Sequence, residues 1–318
     1  MEKGLISFII PTYRRFDGVR DTLKSLFEQD YPKIELILTD DGSPEYDAEI
    51  PGLRDYIEEN RGENIVRVRY NRLPENLGTV RNCNIAYRMA EGEYLKDLSP
   101  EDTLARPDAL SRYVEFLEKE NCLCCFAKQE GVTEDGKTVP HLSSSEEDYE
   151  SLSRMTPDEL RNRLFVRNCL PAPAFFAKTE LFRRYGYYPE KVRLIEDYPF
   201  WLQLCAAQVR IGFLDETLVR YRLSGSGMGY YSPAFMRDMY VIYDEYIFPY
   251  DRRYGALQPL YNGLKRAGLN AYTDRANWEG YTAGRKALAV LKHAPFFAYM
   301  RLGEARMKMK NGKENGKK

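Results

Sequence analysis

The chain has 318 residues, of which 43% are hydrophobic and 30% are charged, and its formal net charge is −1. This length and balance fit a globular protein with one large or two smaller domains and a sizeable core. The near-neutral charge gives no support to a dedicated nucleic-acid-binding protein, so we expect no nucleic-acid partner.

The first predicted elements are a strand, a helix and a second strand. Ser7–Ile10 is a short strand that we expect to end at Pro11, and Ile34–Leu38 is the second strand. Both are apolar almost throughout, as strands buried on both faces must be. A right-handed crossover makes them parallel neighbours. The polar endings Thr12-Tyr13 and Asp40-Asp41 should therefore meet at the carboxyl edge of the sheet, where open α/β folds bind ligands.

No glycine-rich loop follows the first strand, which excludes the dinucleotide-binding fingerprint and the phosphate-cradling loop. A third strand, Val66–Tyr70, leads into a helix that we expect to end at Gly92. A fourth strand, Tyr94–Leu98, ends on Ser99-Pro100-Glu101-Asp102, so acidic groups again reach a strand's carboxyl end. An edge that offers acidic groups to nucleotide phosphates needs a divalent cation between them.

The second half alternates short helices and strands. Its predicted elements, in chain order, are a helix from Pro107-Asp108, a strand Cys122–Lys128, a turn at Asp135-Gly136, a capping box Thr156–Glu159, a strand Ala174–Ala177, a helix capped by Thr179 and ended by Gly186, a helix opened by Glu196-Asp197, and a hairpin of Val209–Leu214 with Thr217–Leu223. Beyond Ser232 the pattern becomes helical and rich in Tyr.

The six cysteines include the cluster Cys122, Cys124 and Cys125. A zinc site needs a second pair of ligands, which His141 alone does not provide. We therefore expect buried free thiols on a core strand and a reducing cytoplasm. The few residues before Pro11 are too short for a signal peptide, and no stretch reaches the ~20 apolar residues of a membrane span.

The charge is uneven along the chain. From Arg285 to the end there are ten Lys or Arg against two Glu, a net of +8, which leaves −9 for the rest. A basic end with interleaved apolar residues can attach to an anionic membrane surface. The last residues, 311–318, are too polar to order, so we expect a disordered basic tail.

Four sequence features in order resemble the inverting glycosyltransferases of family 2, which have the GT-A fold: PTYRR with TDDGS, NLGTVRN, GEYLKDLSPED and LIEDYPFWLQL. The resemblance covers roughly residues 5 to 225. It implies an α/β, Rossmann-like, mixed and mainly parallel sheet flanked by helices, followed by a C-terminal helical extension. The implied domains are 1–230, with a nucleotide-binding half to about 105 and an acceptor half beyond it, then the extension 231–310.

The resemblance implies transfer from a nucleotide-diphospho-sugar by an inverting, hexosyltransferase-type enzyme. Carried over by position, Tyr13 would stack on the base and Asp41 would hydrogen-bond its edge, with Pro11 and Thr12 beside them. Arg81 would lie near the diphosphate or support the loop that carries Asp41.

The same resemblance implies a catalytic base, Asp197 with Glu196 beside it, and a Mn²⁺ or Mg²⁺ ion. The chemistry needs both, because a cation neutralises charge on the departing diphosphate and a carboxylate takes the proton of the attacking hydroxyl. The family's metal motif is usually Asp-x-Asp-Asp, whereas this chain has Ser99-Pro100-Glu101-Asp102. Alignment from Tyr94 places Glu101 on the ligand position, and alignment from Pro107 places Asp102 there; we prefer Asp102.

Each candidate also has a purely structural interpretation. Asp41 could form only a turn, and Glu196-Asp197 could only favour a helix N-terminus. Tyr13 could be surface packing and Arg81 a solvated charge. A further departure from the family is that Leu223-Ser224, rather than a His, follows the Tyr-Arg pair.

The sequence therefore predicts a cytoplasmic glycosyltransferase, peripheral on the inner face of the membrane, that extends a surface glycan on a glycan or polyprenyl-linked acceptor. Two alternatives stay open. One is a non-catalytic nucleotide-sugar-binding protein. The other is a sugar-phosphate nucleotidyltransferase, which usually has a glycine-rich loop where this chain has Pro11-Thr12-Tyr13. Donor sugar, acceptor, linkage and oligomeric state are not determined by the sequence.

Overall fold

A computed structural model describes residues 1–133, 135–140, 149–223 and 232–294. The chain forms two compact units that divide between residues 227 and 228. The predicted tail 311–318 lies outside the described residues.

The first unit is built from short strands and helices. Its strands are β1 Glu2–Thr12, β2 Ile34–Asp40, β3 Ile65–Arg72, β4 Gly92–Asp97, β5 Thr103–Leu104, β6 Cys124–Val132, β7 Thr138–Pro140, β8 Phe175–Lys178 and β9 Gly212–Arg222. Its helices are α1 Val19–Phe27, α2 Tyr46–Asn60, α3 Thr79–Met89, α4 Ala109–Glu120, α5 Tyr149–Ser153, α6 Pro157–Leu164, α7 Thr179–Tyr185 and α8 Asp197–Ala206, with a 3₁₀ turn at Ala172–Ala174.

The strands form one sheet in the order β3-β2-β1-β4-β8-β6-β9-β5, with β7 paired to β6. The first four strands are parallel, β8 is antiparallel to β4 and β6, and β9 is parallel to β6. The predicted α/β architecture is confirmed. Thr12 pairs with Asp40, so the two polar strand ends meet at one edge as expected.

Helices cover both faces of β1 and β2. On one face Phe8 and Ile10 belong to a core shared with α1, α2 and α4. On the other face α3 packs on both strands, and Ile9 and Ile37 are fully buried. Burial on both faces explains why these strands are apolar throughout rather than alternating.

Two predicted element ends are wrong. β1 continues through Pro11 to Thr12, because its pairing with β4 ends at Ile9 and the missing proline N–H costs no ladder bond there. Gly92 does not end α3, which stops at Met89; it opens β4. A Cβ on Gly92 would lie 2.7 Å from the Leu5 oxygen, so the glycine permits close approach of two strands.

The predicted hairpin is also wrong, because Asp215 and Glu216 lie inside the continuous strand β9. This strand runs parallel to β6 and accommodates the two acidic residues by register shifts at Lys128. Thr179 is the first residue of α7 rather than its cap, and its hydroxyl donates to the Gly92 oxygen over 2.6 Å.

Other local predictions are confirmed. Thr156 and Glu159 form the capping box of α6, and Gly186 follows α7 with a φ of 88°. The six cysteines are buried free thiols. The helix α2, whose interior contains Pro51, was not predicted.

The second unit is helical over its described residues, as predicted beyond Ser232. It contains α9 Pro233–Val241, which continues as π-helix over Ile242–Ile247, α10 Gln258–Ala276 and a helix over residues 283–294. The Ser232 hydroxyl caps α9 by accepting from the Phe235 amide over 3.1 Å. Among the helices that the structure describes, none is both long and apolar enough to cross a membrane.

Candidate active site

A cavity of about 390 Å³ opens at the carboxyl edge of the sheet. Its walls come from segments distant in sequence: Pro11–Tyr13 after β1, Asp41 after β2, Asp97–Asp102 after β4, Ala172-Pro173, Glu196 before α8 and Tyr221-Arg222 of β9. An α/β sheet gathers ligand-binding groups at this edge because its parallel strands all end there.

Two of the predicted site residues lie outside the cavity walls. Arg81 is about half exposed, and its Nε is 3.4 Å from a carboxylate oxygen of Glu190. Asp197 follows the cavity residue Glu196 but is partly buried, and its Oδ2 accepts a hydrogen bond from Asn168 Nδ2 over 2.7 Å. The other predicted site residues line the cavity: Pro11, Thr12, Tyr13, Asp41, Glu101, Asp102 and Glu196.

The two aspartates after β2 have different roles. Asp40 forms the turn, since its Oδ1 accepts from the Ser43 amide over 2.7 Å. The carboxylate of Asp41 instead accepts from the backbone amides of Leu77 (2.7 Å) and Gly78 (2.9 Å). Burial raises the pKa of Asp41, while these two amides lower it. The Asp41 carboxylate is thereby fixed at the cavity wall.

The loop that holds Asp41 also contacts the segment that precedes Glu196. Gly78 has a φ of 93°, and a Cβ there would lie 2.6 Å from the Arg193 backbone oxygen. The Val80 amide donates to that same oxygen over 3.1 Å. The two segments are more than a hundred residues apart, so their contact could not be read from local sequence patterns.

Tyr13 lies at the cavity wall with 40% of its surface exposed. The guanidinium of Arg14, a residue in the left-handed region with a φ of 56°, lies 5.4 Å from the ring centroid. An exposed aromatic face near a fixed carboxylate can hold a planar, hydrogen-bonding ring such as a nucleobase.

Glu101 adopts a backbone conformation that is unusual for a non-glycine residue, with a φ of 78°. Its amide donates to the Gly18 oxygen over 3.0 Å, and a Cβ on Gly18 would lie 2.0 Å from Glu101 Cγ. Its carboxylate is 2.5 Å from Arg15 Nη2. Close packing against a glycine therefore holds this acidic side chain at the cavity.

Asp102 is only 3% exposed, and its Oδ1 accepts from the Arg222 amide over 3.0 Å. Burial raises its pKa to about 7. Lys96 is buried nearby and donates to the backbone oxygens of Asp97 (2.5 Å) and Pro173 (2.6 Å), and burial lowers its pKa to about 8. Burial also raises the pKa of Asp97, which lines the cavity.

Lys96 and Asp97 were missed in the sequence analysis. The available signal was a charged pair that directly follows the apolar residues Tyr94 and Leu95 at the carboxyl end of the fourth strand, just before the acidic motif. Burial of an ammonium beside carboxylates is tolerable because the opposite charges offset part of each other's desolvation cost.

The carboxylates at the cavity wall fit a hard cation. Glu101 and Asp102 are consecutive carboxylates at one cavity, and such oxygens are the preferred ligands of Mg²⁺. Within the described ranges no group of three or more His, Cys, Asp or Glu side chains could hold a metal. Mg²⁺ usually takes one or two carboxylates plus phosphates and water, so two carboxylates suffice when a diphosphate supplies the rest.

Two solved structures have a fold similar to that of this chain. S. aureus TarS 1–349 in complex with UDP-GlcNAc aligns with a TM-score of 0.59 and 20% identity, covering 92% of this chain and 80% of that one. The mannosyltransferase PcManGT of Pyrobaculum calidifontis, in complex with GDP-Man and Mn²⁺, gives a TM-score of 0.56 and 15% identity over 92% and 82% of the chains. This chain has the GT-A fold of glycosyltransferases.

Residues 7–186, more than half of the chain, match the family model of glycosyl transferase family 2. The chain belongs to this family, and the predicted membership is confirmed. It is 27% identical over 222 residues to TuaG of Bacillus subtilis (strain 168), covering 70% of this chain and 80% of that protein. TuaG itself is provisionally named as a teichuronic acid biosynthesis glycosyltransferase.

Proposed function

We propose that this glycosyltransferase transfers a hexosyl group from a nucleotide-diphospho-sugar to a hydroxyl of a glycan or lipid-linked acceptor, with inversion. One observation carries the proposal: a single cavity collects Tyr13, Asp41, the Glu101-Asp102 pair and Glu196 from three of the four sequence features. An aromatic ring, carboxylates that can hold a cation and a further carboxylate that can accept a proton suit such a transfer.

The nucleotide is proposed to bind at the end formed by β1 and β2. Tyr13 stacks on the base, Asp41 accepts a hydrogen bond from its edge, and Pro11-Thr12 forms the adjoining wall. Support comes from the two amides that fix Asp41 and from the exposed ring face. Arg81 lies outside the cavity in the helix that follows the Asp41-binding loop, so we assign it the supporting role rather than diphosphate contact.

Glu101 and Asp102 are proposed to hold Mn²⁺ or Mg²⁺. When bound, the ion neutralises negative charge on the departing nucleoside diphosphate. Arg15 lines the same cavity, where it pairs with Glu101, and we propose that its guanidinium also contacts the diphosphate as a second positive group.

Asp197 is proposed as the base that takes the proton of the attacking hydroxyl, with Glu196 beside it at the cavity wall. Burial raises the pKa of Asp197, and a hydrogen bond from Asn168 opposes this rise. A carboxylate with a raised pKa is a stronger proton acceptor, which suits a general base.

The biological setting is proposed to be surface polysaccharide synthesis, as the name of TuaG suggests, and we place it at the inner face of the cell membrane. The helix over residues 283–294 supports membrane contact. It has three exposed large apolar side chains, with Leu291 at 73% exposure, and it has three Lys or Arg and no acidic residue. A helix of this composition favours an anionic lipid surface.

Two measurements on the purified full chain test the proposed function. Isothermal titration of UDP and GDP, with and without Mn²⁺, measures binding, and release of nucleoside diphosphate from a panel of UDP- and GDP-sugars measures turnover. We expect metal-dependent binding and consumption of at least one sugar. Binding without turnover would support the non-catalytic alternative, which Ser99 in the metal motif and the Arg15–Glu101 pair favour.

A further inference from the structure

We infer that Asn168 is a positioning residue that orients the Asp197 carboxylate toward its substrate. The inference rests on the proposed function, in which Asp197 is the base. Asn168 belongs to none of the sequence motifs, and it lies 29 residues before its partner.

The hydrogen-bonding pattern fixes the orientation of the Asn168 amide. Its Nδ2 donates to Asp197 Oδ2 over 2.7 Å, while its Oδ1 accepts from the Leu170 backbone amide over 3.4 Å. An oxygen facing that backbone N–H leaves the amide nitrogen facing the carboxylate. A neutral donor can hold a carboxylate in one direction without neutralising its charge.

The segment that carries Asn168 is held at both ends. At the start, the Tyr198 hydroxyl of α8 donates to the Leu164 oxygen at the end of α6 over 2.5 Å. At the other end, Lys96 Nζ donates to the Pro173 oxygen over 2.6 Å, and Pro173 lines the cavity. The donor of Asn168 is therefore placed relative to both α8 and the cavity wall.

The consequence for catalysis is geometric. Proton transfer needs the accepting oxygen within hydrogen-bonding reach of the hydroxyl, and a misplacement of about 1 Å can cost about 100-fold in rate. The Tyr198 backbone also hydrogen-bonds the Asp197 carboxylate, so loss of the Asn168 donor should change its direction without releasing it, whereas nucleotide binding at β1 and β2 should not change. The loss should appear in kcat rather than in KM for the donor.

Three variants test this in the full chain: Asn168→Ala, Asn168→Asp and the control Asn162→Ala, which changes an exposed asparagine of α6. The assay measures kcat and KM for nucleoside diphosphate release from the panel sugar that the wild type consumes fastest, together with the melting temperature. We expect Asn168→Ala to lower kcat by about 10- to 100-fold with KM within about twofold, and Asn162→Ala to match the wild type.

Asn168→Asp separates positioning from packing. It preserves shape but replaces the donor by a like charge, so it should lose at least as much kcat as Asn168→Ala. If it instead retains more activity than Asn168→Ala, or if both losses fall in KM, the inference is wrong. Melting temperatures near that of the wild type exclude unfolding as the cause of a lower kcat. If one of the two Asn168 variants is unfolded, the kinetics of the other one decide.

Asp197→Asn distinguishes this inference from the proposed function. If that variant retains transfer, the base assignment fails and the positioning role fails with it. If it is inactive while both Asn168 variants are as active as the wild type, only the positioning role is wrong. A wild type that consumes no panel sugar contradicts both.

Discussion

Replacing Asp102 by Asn should stabilise the protein at neutral and alkaline pH while impairing its site. Asp102 is buried, and burial raises its pKa from 3.8 to about 7. Between about pH 4 and pH 7 the folded state therefore keeps a proton on Asp102 that the unfolded state releases. The free energy of unfolding consequently falls as the pH rises through this range. A rise of the pKa from 3.8 to about 7 lowers the free energy of unfolding by about 4 kcal/mol, and the whole loss is present above pH 7.

Asn cannot ionise, and its oxygen can still accept from the Arg222 amide that now donates to Asp102. The substitution removes the ionisation cost, although buried Lys96 loses a nearby negative charge and offsets part of the gain. We therefore expect Asp102→Asn to be more stable than the wild type by about 2–4 kcal/mol at pH 8, and by little at pH 4.5.

Melting curves at pH 4.5 and pH 8 measure this difference. For a unit of this size 1 kcal/mol corresponds to about 2–4 °C, so the expected rise at pH 8 is roughly 5–15 °C. The control is Asp55→Asn, which changes an exposed aspartate of α2 and should move the melting temperature little at either pH. A lower melting temperature for Asp102→Asn at pH 8, or an equal shift at both pH values, would refute the reasoning.

Four further predictions concern the site and the C-terminus. Asp197→Asn should keep nucleotide affinity and lower transfer by about 10²–10⁴-fold, because it removes only the proton acceptor; a loss of only a few-fold would assign the base elsewhere. Asp102→Ala should weaken Mn²⁺-dependent nucleotide binding more than Glu101→Ala in isothermal titration, and the reverse ranking would make Glu101 the main ligand. Gly78→Ala should destabilise the protein by about 1–3 kcal/mol in melting experiments and weaken nucleotide binding, because its φ of 93° and a Cβ 2.6 Å from a backbone oxygen leave no room; unchanged binding would separate this loop from the nucleotide. A chain ending near Pro295 keeps the helix over residues 283–294 but loses seven of the ten Lys or Arg counted from Arg285 on, so it should sediment with anionic vesicles at low salt more weakly than the full chain; equal sedimentation of the two would remove membrane attachment through the basic end.

The meeting of polar residues at the carboxyl ends of β1 and β2 was predictable from the sequence, although the last residue of β1 was not, because this meeting follows from local chemistry. Apolar runs that stop at polar residues define β1 and β2, and parallel pairing then places Thr12 beside Asp40. The same reasoning gathered Glu101 and Asp102 at the edge, and the cavity contains them.

Hydrogen-bond partners that are far apart in the sequence were not predictable. Nothing near Asp41 shows that its carboxylate binds the amides of Leu77 and Gly78, and nothing near Asp197 indicates Asn168. The hairpin prediction failed for a related reason. Asp215-Glu216 has turn chemistry, but pairing of β9 with β6 and register shifts in that pairing keep the strand continuous.

The central claim is that the cavity binds a nucleotide sugar and catalyses its transfer. The most direct measurement is nucleoside diphosphate release from the panel of UDP- and GDP-sugars by the wild type and Asp197→Asn, at matched nucleotide occupancy and with Mn²⁺ present. We expect the wild type to consume at least one sugar and the variant to bind that sugar without comparable turnover. Equal release by both proteins, or binding by the wild type with no release from any sugar, would contradict it.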